Sequence, residues 1–240
     1  MSISVAVVGA TGRMGKLAIE LIEAAQGLTL HSALDSKSEL SQTIGADVIF
    51  DITRLEVSEK VVAHAIANNQ KVLVGTSGWS AQHLQQLEAQ LKNSSAAVVV
   101  VPNFSIGSML GSKFAAEAAK FFDSIEIVEA HHAGKIDSPS GTAVRTAEMI
   151  SAARDGKSIL LPGVGQAARG QVVAGVPIHS LRLEGVSAKQ EVLLGGDSEV
   201  LKIAHEVTSI RSYVTGILTS IRFTAEAKGL TVGLQSVLGL

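Results

Sequence analysis

The first hundred residues alternate short, continuous apolar runs with stretches in which apolar residues recur every three or four positions. Residues 5–8 are apolar throughout and end at Gly9, as expected of a strand that is buried on both faces. Apolar residues then recur at helical spacing from Met14 to Ala25, which gives one stripe of an amphipathic helix. The same patterns predict strands at 28–34, 48–52, 72–74 and 97–101 and helices at 58–68 and 81–92.

Alternation of strands and helices predicts a parallel sheet with right-handed crossovers. The first part of the chain is therefore predicted to be a doubly wound α/β unit of the Rossmann type. The pattern changes after Pro102, where runs of extended character and turn residues become frequent. This part is predicted to be a second, α+β domain with a mixed or antiparallel sheet. Its predicted helices are 111–122 and 142–153, and its extended runs are 124–130, 177–183, 190–194 and 201–205.

The end of the chain is expected to return to the first domain, because residues 214–227 form a helix-like segment that can pack there. The glycine-rich stretch 163–175 is expected to be a mobile loop. These boundaries predict a dinucleotide-binding domain made of 1–103 plus 213–240. The second domain is predicted at 104–212.

Composition narrows the class of protein. The chain has 240 residues, of which 46% are hydrophobic and 18% charged, enough for one or two domains with buried cores. The net charge of −2 gives no sign of a nucleic-acid stripe or a polybasic membrane patch. No cysteine is present, which excludes disulfides, thiolate metal sites and a cysteine nucleophile.

The longest apolar runs are much shorter than the roughly 20 residues that cross a bilayer. The first apolar stretch has no basic region before it, unlike a secretory signal. We therefore expect a cytoplasmic protein that binds a small molecule, with neither nucleic acid nor membrane as a partner.

A glycine-rich loop lies between the first predicted strand and helix. Gly9, Gly12 and Gly15 have the spacing G-x-x-G-x-x-G, a variant of the dinucleotide fingerprint in which backbone N–H groups approach a pyrophosphate. Asp35 ends the second predicted strand, where an acid binds ribose hydroxyls and favours NADH. Lys37 can offset repulsion of a 2′-phosphate, so the choice between NADH and NADPH stays open. The alternative is a turn that merely needs glycines.

Two more loops follow later strands at their carboxyl ends, where ligands bind in open α/β sheets. They are Gly75, Thr76, Ser77 and Gly78, and Val101, Pro102, Asn103 and Phe104.

The strongest chemical signal is the segment 129–143. It combines His131, His132 and Lys135 with an Asp-Ser-Pro-Ser-Gly-Thr run that leads directly into a helix. A histidine exchanges protons near neutral pH, and a lysine donates a proton or holds an anion. Hydroxyls and N–H groups at a helix start suit a carboxylate. No metal is expected, because adjacent histidines in an extended chain point to opposite faces. The alternative is a capped helix with a core histidine and a solvated lysine.

Taken together, these segments resemble the bacterial dihydrodipicolinate reductase family, also called 4-hydroxy-tetrahydrodipicolinate reductases, of lysine and diaminopimelate biosynthesis. The resemblance covers essentially the whole chain, and the pattern HHxxKxDxPSGTA is far more specific than the glycine loop. The segments that carry it are GATGRMG, Asp51-Ile52-Thr53-Arg54, GTSGW, VPNFSIG, EAHHAGKIDSPSGTA and GVPIHSLRLEG.

The resemblance implies an NAD(P)H-dependent oxidoreductase that reduces 4-hydroxy-tetrahydrodipicolinate to tetrahydrodipicolinate. It implies that His131 is the proton donor or acceptor, that Lys135 is a proton donor and substrate anchor, and that His132 contacts substrate. Which of His131 and Lys135 delivers the proton stays open, as does any role in eliminating the 4-hydroxyl. The central domain is implied to bind substrate and to form a homotetramer.

The resemblance also implies that Ser140, Gly141 and Thr142 bind a substrate carboxylate at a helix start. Cofactor contacts are implied at Gly9, Ala10, Thr11, Gly12, Arg13, Met14, Asp35, Gly75, Thr76, Ser77, Val101, Pro102, Asn103 and Phe104.

The chain departs from the family pattern at two places. Family members usually carry an arginine five residues after a histidine, but that position counted from His205 is Ile210, with Arg211 next. The usual proline after Asp-Phe-Thr is also absent, since Leu55 follows Asp51-Ile52-Thr53-Arg54.

Two other functions compete: a different two-domain reductase, for example one like aspartate dehydrogenase, and a dinucleotide-sensing regulatory module. Neither explains the His-Lys segment.

Overall fold

The computed structural model describes residues 2–163 and 165–240. The strands are β1 Ile3–Val8, β2 Leu28–Leu34, β3 Val48–Asp51, β4 Lys71–Val74, β5 Ala97–Val100, β6 Ser124–His131, β7 Gln171–Val173, β8 Val176–Arg182, β9 Ala188–Gly196, β10 Glu199–Val207 and β11 Gly229–Val232. The α-helices are α1 Arg13–Ala24, α2 Leu55–Ala67, α3 Ala81–Leu91, α4 Ile106–Ala118, α5 Gly141–Ala153, α6 Val214–Glu226 and α7 Leu234–Leu238. Short 3-10 helices form at Leu40–Thr43, Ala167–Arg169 and Ile210–Tyr213.

The chain divides into two compact units. The first unit contains the residues up to Ile106 together with Tyr213–Leu240, and the second unit is Gly107–Ser212.

The first unit is built on a six-stranded parallel sheet in the order β11-β5-β4-β3-β1-β2. After β2 the chain returns to the other side of β1 to form β3, so the order reverses between β1 and β3. In open α/β sheets, the crevice outside the carboxyl ends of the strands at such a reversal is where ligands bind.

The inner strands β1, β3, β4 and β5 are largely buried on both faces, which explains their apolar sequences, whereas the edge strands β2 and β11 are partly exposed. One face packs Ile49, Val72 and Val98 against apolar residues of α2 and α3. Phe50 and Leu73 alternate with them and are also fully buried, because α1 and α6 contact the sheet and each other. The predicted α/β fold class is therefore confirmed, and α6 packs on the first sheet as expected.

The second unit contains a mixed five-stranded sheet in the order β10-β9-β6-β8-β7. The β6–β8 pair is parallel and the other pairs are antiparallel. Helices α4 and α5 cover one face, where Ala147 and Ile150 pack with Ile127, Ile178 and Val192. The predicted α+β architecture with a mixed sheet is thus confirmed for this unit.

Two β-strands and one α-helix were not predicted, nor were the short 3-10 helices. Residues 171–173 form β7, so the expectation of a loop over 163–175 is wrong for that part; Val164 lies outside the described residues. At the end of the chain β11 pairs with β5, and α7 follows it. Both missed strands lie at sheet edges and contain no buried residue, unlike the equally short inner strands β3 and β5, whose residues are all buried. Across 2–163 and 165–240 no helix is both long and apolar enough to cross a membrane.

Candidate active site

The glycine loop after β1 is tightly packed against its surroundings. Gly9 has φ +94°, and a Cβ there would lie 2.4 Å from the Ile52 carbonyl oxygen. A Cβ on Gly15 would lie 2.2 Å from the Gly9 carbonyl oxygen, whereas at Gly12 the same contact would be 3.4 Å. The first and third glycines are therefore required by backbone contacts within the unit.

The loop leaves the start of α1 open to an anion. Gly12 is the N-cap residue and supplies no side-chain cap, and the first turn of α1 contains no acidic residue. The N–H groups of that turn and the positive end of the helix dipole are thus available to a pyrophosphate. Arg13 is exposed and adds positive charge at the same place. These features fit the phosphates of NADH or NADPH.

Asp35 lies directly after β2 and is exposed. Its Oδ1 accepts hydrogen bonds from the Lys37 backbone N–H at 2.9 Å and from the Ser38 hydroxyl at 2.9 Å. The backbone hydrogen bond from Lys37, helped by Ser38, lowers the pKa of Asp35 below its ordinary value. Asp35 therefore presents a negative charge at the edge where ribose hydroxyls would bind, with the exposed Lys37 beside it.

The two later loops of the first unit adjoin each other. The ring of Phe104 packs edge-on against Phe50 with centroids 5.6 Å apart. A Cβ on Gly75 would lie 2.9 Å from the Phe104 ring, and one on Gly216 of α6 only 2.0 Å from the Phe104 carbonyl oxygen. The loop 101–104 is thus held between the loop after β4 and the C-terminal helix.

Thr76 is a polar residue among the predicted cofactor contacts whose side chain is buried. Its side chain is buried and donates to Oδ2 of Asp51 at 2.9 Å, while its oxygen accepts from the Thr53 backbone N–H. Burial raises the pKa of Asp51, and hydrogen bonds from Ser58, Thr53 and Thr76 partly oppose that effect. The Thr76 side chain therefore joins the loops after β3 and β4, and a cofactor contact at this residue falls to its backbone.

In the second unit, β6 ends at His131 and brings Glu129 and His131 to the same face of the sheet. Arg182 ends β8 and is the register partner of His131. Helix α5 starts at Gly141, where the Ser140 hydroxyl accepts from the Ala143 backbone N–H at 3.3 Å. The carboxyl ends of two parallel strands and the N-terminus of a helix therefore meet here.

Glu129 is the centre of this arrangement and is completely buried. Its Oε2 lies 2.6 Å from Nδ1 of His131. The Arg182 guanidinium donates to Oε2 at 3.1 Å and to Oε1 at 3.0 Å, and the Ser140 backbone N–H donates to Oε1 at 3.2 Å. One carboxylate thus binds the histidine, the arginine and the start of α5.

These contacts set the charges. Burial alone would raise the pKa of Glu129, but the hydrogen bonds from Arg182, Ser180 and His131 outweigh it and the pKa is lowered. For His131, burial lowers the pKa and Glu129 opposes it, while Lys135 and Arg182 lower it further; the net result is a lowered pKa. Glu129 is therefore ionised, and the His131 ring is largely neutral at pH 7.

Lys135 lies in the turn after β6, where its backbone N–H donates to the His132 carbonyl at 3.0 Å. Its ammonium donates to both oxygens of Asp137, at 2.7 and 2.8 Å. The Asp137 carbonyl in turn accepts from Arg182 at 2.6 Å. Arg182 therefore connects the lysine turn with the carboxylate that holds His131.

The structure brings His131, Lys135 and Ser140 into one hydrogen-bonded cluster through Glu129 and Arg182. Gly141 and Thr142 follow in the first turn of α5, which carries no acidic residue. His132 is exposed and lies outside that hydrogen-bond network. Among the described residues, no group of three or more histidine, aspartate or glutamate side chains is arranged to hold a metal ion.

Sequence analysis assigned no role to Glu129, Arg182 or Asp137. Glu129 precedes His131 by two positions in a predicted strand, so a shared face was detectable from the alternation. Arg182 offers no such signal, because it meets Glu129 only through the β6–β8 pairing.

At the departure from the family pattern, Ile210 and the exposed Arg211 lie in a 3-10 helix, and Arg211 donates its backbone N–H to the Ser209 hydroxyl.

Comparison with known proteins gives consistent matches over the chain. The family model described as dihydrodipicolinate reductase, N-terminus, matches residues 3–104, and the one described as dihydrodipicolinate reductase, C-terminus, matches 107–238. A 4-hydroxy-tetrahydrodipicolinate reductase of Clavibacter sepedonicus is 51% identical over 100% of this chain and 87% of its own length. That of Cutibacterium acnes is 42% identical over 99% of both chains.

A solved structure gives the same match. It is described as dipicolinate-bound dihydrodipicolinate reductase from Paenisporosarcina sp. TG-14 and superposes with a TM-score of 0.83 at 33% identity. The alignment covers 98% of this chain and 99% of that one.

Proposed function

Because this chain belongs to the dihydrodipicolinate reductase family, we propose that its His131–Lys135 cluster performs the proton transfer in the reduction of 4-hydroxy-tetrahydrodipicolinate. The chain is an NAD(P)H-dependent oxidoreductase of lysine and diaminopimelate biosynthesis. The bound dinucleotide supplies a hydride. The chain itself binds the substrate, neutralises its carboxylates and exchanges the proton that balances hydride addition.

The dinucleotide is held by the first unit. The start of α1, with Gly9, Gly12 and Gly15, receives the pyrophosphate through its open N–H groups. Asp35 accepts hydrogen bonds from ribose hydroxyls. The loops 75–77 and 101–104, which adjoin each other at the carboxyl edge of the sheet, complete the contacts with the cofactor.

The substrate is held by the second unit. The N-terminus of α5 receives one carboxylate through the N–H groups of Gly141 and Thr142, the Ser140 hydroxyl and the helix dipole. The Ser140 N–H itself is donated to Glu129. The Lys135 ammonium, which is paired with Asp137, binds a second carboxylate. The dipicolinate named for the solved relative is a ring with two carboxylates, and this pair of anion sites suits that chemistry.

The proton passes through His131. The net change replaces the 4-hydroxyl of the substrate, which leaves as water, by a hydride, and it consumes one proton. Once water has left, hydride addition to the conjugated imine leaves negative charge spread over the ring and its nitrogen, and one proton neutralises that charge. With Nδ1 of His131 engaged by Glu129, exchange with substrate falls to Nε2. Because the lowered pKa keeps the ring mostly neutral at pH 7, Nε2 carries a lone pair and no proton at the start. The proton that Nε2 passes to the substrate therefore comes to it from the Lys135 ammonium, which is left as a neutral amine.

One observation carries this assignment: the Glu129 carboxylate joins His131 to Ser140 at the start of α5. The ring that exchanges protons and the helix end that binds anions are thereby fixed to each other. The two alternatives raised by the sequence, another amino-acid or imine reductase and a dinucleotide sensor, leave both this cluster and the matches to the two family models unexplained.

The test couples the protein to dihydrodipicolinate synthase, which makes the unstable substrate from pyruvate and aspartate semialdehyde. Loss of NADH and NADPH absorbance is followed with and without the synthase. Synthase-dependent oxidation that disappears in Lys135→Ala, while dinucleotide binding is kept, is the expected result. Folded wild-type protein that binds dinucleotide but oxidises neither cofactor would contradict the proposal.

We also propose that the protein is a cytoplasmic homotetramer assembled through the second unit. Exposed apolar side chains of Val172, Leu181 and Val200 share the sheet face opposite α4 and α5, which is the kind of surface that subunits cover. Sedimentation equilibrium measures the mass directly. A monomer at micromolar concentration would contradict the proposed assembly.

A further inference from the structure

The buried carboxylate of Glu129 accepts hydrogen bonds at both oxygens. Oε2 faces His131 and one Arg182 nitrogen, and Oε1 faces the other Arg182 nitrogen and the Ser140 backbone N–H. Arg182 and Ser140 can only donate at these positions, because a guanidinium and an amide nitrogen have no acceptor here. A neutral, protonated or amide side chain in place of Glu129 would therefore turn a donor toward donors.

The same geometry determines the tautomer of His131. A carboxylate 2.6 Å from Nδ1 accepts the Nδ1–H, which leaves the lone pair of the neutral ring on Nε2. In the other tautomer, the Nδ1 lone pair would face a buried carboxylate oxygen. The ring can then take up and release a proton only at Nε2.

Arg182 extends this control to the lysine. It binds Glu129 with two nitrogens and also donates to the carbonyl oxygens of Asp137 and Leu181. Asp137 holds the Lys135 ammonium with its side chain. The partners of the two proton-exchanging residues are therefore linked through one guanidinium.

We propose that Glu129 and Arg182 are positioning residues of the reaction: Glu129 fixes His131 as the Nδ1–H tautomer, and Arg182 holds Glu129 and the Lys135–Asp137 turn in register. The inference rests on the proposed function for its kinetic consequences, but its tautomer prediction requires no substrate. The charged groups that face His131 are Glu129 on its own strand, Arg182 on β8, and Lys135, itself paired with Asp137, in the following turn.

The first measurement uses the wild-type protein. Long-range proton–nitrogen NMR correlations of ¹⁵N-histidine-labelled protein distinguish the two neutral tautomers, and the signal that disappears in His131→Asn identifies the ring. We expect the Nδ1–H tautomer at a pH where the ring is neutral. The Nε2–H tautomer for His131 would overturn the proposal, even if the enzyme proved fully active.

The second measurement is kinetic. Glu129→Gln is expected to lower kcat by about 10²- to 10⁴-fold while the KM for the dinucleotide changes by less than about threefold. Because the Glu129 charge opposes the lowering of the His131 pKa, its removal moves the limb of the kcat/KM profile that reports His131 to lower pH. Glu129→Asp keeps the charge. Its kcat is expected to lie between those of Glu129→Gln and the wild type, and the limb of its kcat/KM profile is expected at the same pH as in the wild type.

Glu126→Gln is the matched control. Glu126 lies on the same strand and is also bonded to an arginine and a histidine, but on the opposite face. The kcat and pH profile of Glu126→Gln are expected to equal those of the wild type. Light scattering checks that the two proteins are compared in the same association state. A folded Glu129→Gln with the kcat, pH profile and His131 tautomer of the wild type would overturn the positioning role.

Two further results separate the possible failures. If Glu129→Gln does not fold, Arg182→Lys is used instead; it keeps one charge but loses the two-nitrogen contact, and we expect the same direction of change in kcat with a smaller size. Unchanged kcat there would count against the role of Arg182. If wild-type protein lacks synthase-dependent oxidation, the proposed function fails while the tautomer result still decides the positioning role.

Discussion

Strand β6 carries two carboxylates with nearly the same partners and very different surroundings. Glu126 is bonded to Arg169 and to Nε2 of His179, and Glu129 is bonded to Arg182 and to Nδ1 of His131. The Glu126 side chain is 26% exposed, whereas that of Glu129 is 0% exposed. Only the second is also bonded to the start of a helix.

The difference follows from the period of a strand. Residues three apart on a strand point to opposite faces, so Glu129 faces the side covered by α4 and α5, and Glu126 faces the other. Burial without donors would make Glu129 costly, and the donors that compensate it are the ones that build the site. Two clusters of similar composition therefore differ in burial and in hydrogen bonding because they lie on opposite faces of the sheet.

The largest expected difference between the clusters is in turnover. His131→Ala is expected to reduce kcat by about 10²- to 10⁴-fold, because it removes the ring that exchanges the proton, while dinucleotide affinity is unchanged. His179→Ala removes the equivalent ring of the other cluster and is expected to change kcat by less than about twofold. Both are measured in the synthase-coupled assay and by fluorescence titration with NADH. Equal losses of kcat in the two variants would show that the His131 cluster has no special role in turnover.

Stability should separate the clusters next. Glu129→Ala leaves the Arg182 guanidinium, whose side chain is 20% exposed, without its carboxylate partner and is expected to lower the free energy of unfolding by about 3 kcal/mol. Glu126→Ala removes a partly solvated pair and is expected to cost about 1 kcal/mol or less. Urea unfolding followed by circular dichroism gives both values. A larger loss at Glu126 would show that the open face is the more stabilising one.

Acid dependence gives a smaller effect with a defined sign. The pKa of each carboxyl is lowered on folding, so its contribution to stability is present above its unfolded value near 4.5 and is lost as pH falls below it. The lowered pKa of His131 acts in the same direction, starting below about 6.5. Since Glu129 accepts from more donors, Glu129→Gln should flatten the acid side of the stability curve more than Glu126→Gln. Urea midpoints measured from pH 7 to pH 3 test this order.

The smallest effect is expected at the exposed edge of the buried cluster. Asp137 pairs with Lys135, but its side chain is 62% exposed, so solvent can replace much of the contact. Asp137→Asn is expected to lower kcat/KM by no more than about fivefold, and added salt should reduce the difference from wild type. If Asp137→Asn lowered kcat/KM as much as Glu129→Gln, the size of the effect would not depend on how exposed the side chain is.

The first sheet could largely be predicted from sequence because its inner strands are buried on both faces. Continuous apolar runs such as residues 5–8 and 97–101 predict such strands almost without context, and β1 and β5 form there. The edge strands β7 and β11 differ, since they contain no buried residue and become strands only by pairing with β8 and β5. Local sequence carries little information about a pairing partner that is far along the chain.

The residues of the candidate site also fall into two groups, those that could be predicted from sequence and those that could not. His131, Lys135 and the Ser-Gly-Thr helix start are recognisable by residue type and spacing within one segment. Arg182 is 51 positions further along from His131 and becomes its neighbour only through the parallel β6–β8 register. Thr76 could be recognised as part of a loop at the carboxyl end of a strand, but its sequence gives no sign that its hydroxyl donates a hydrogen bond to the buried Asp51.

The fold class and the family could be predicted from the sequence and are confirmed, and one segment could be proposed to carry the chemistry. These features depend on local periodicity and on a contiguous pattern of functional groups. The tertiary structure alone decided which of two similar carboxylates is buried and which arginine compensates it. It also decided which nitrogen of His131 carries the proton. Those features depend on strand register and on the direction of side chains, which are set only when distant segments pack together.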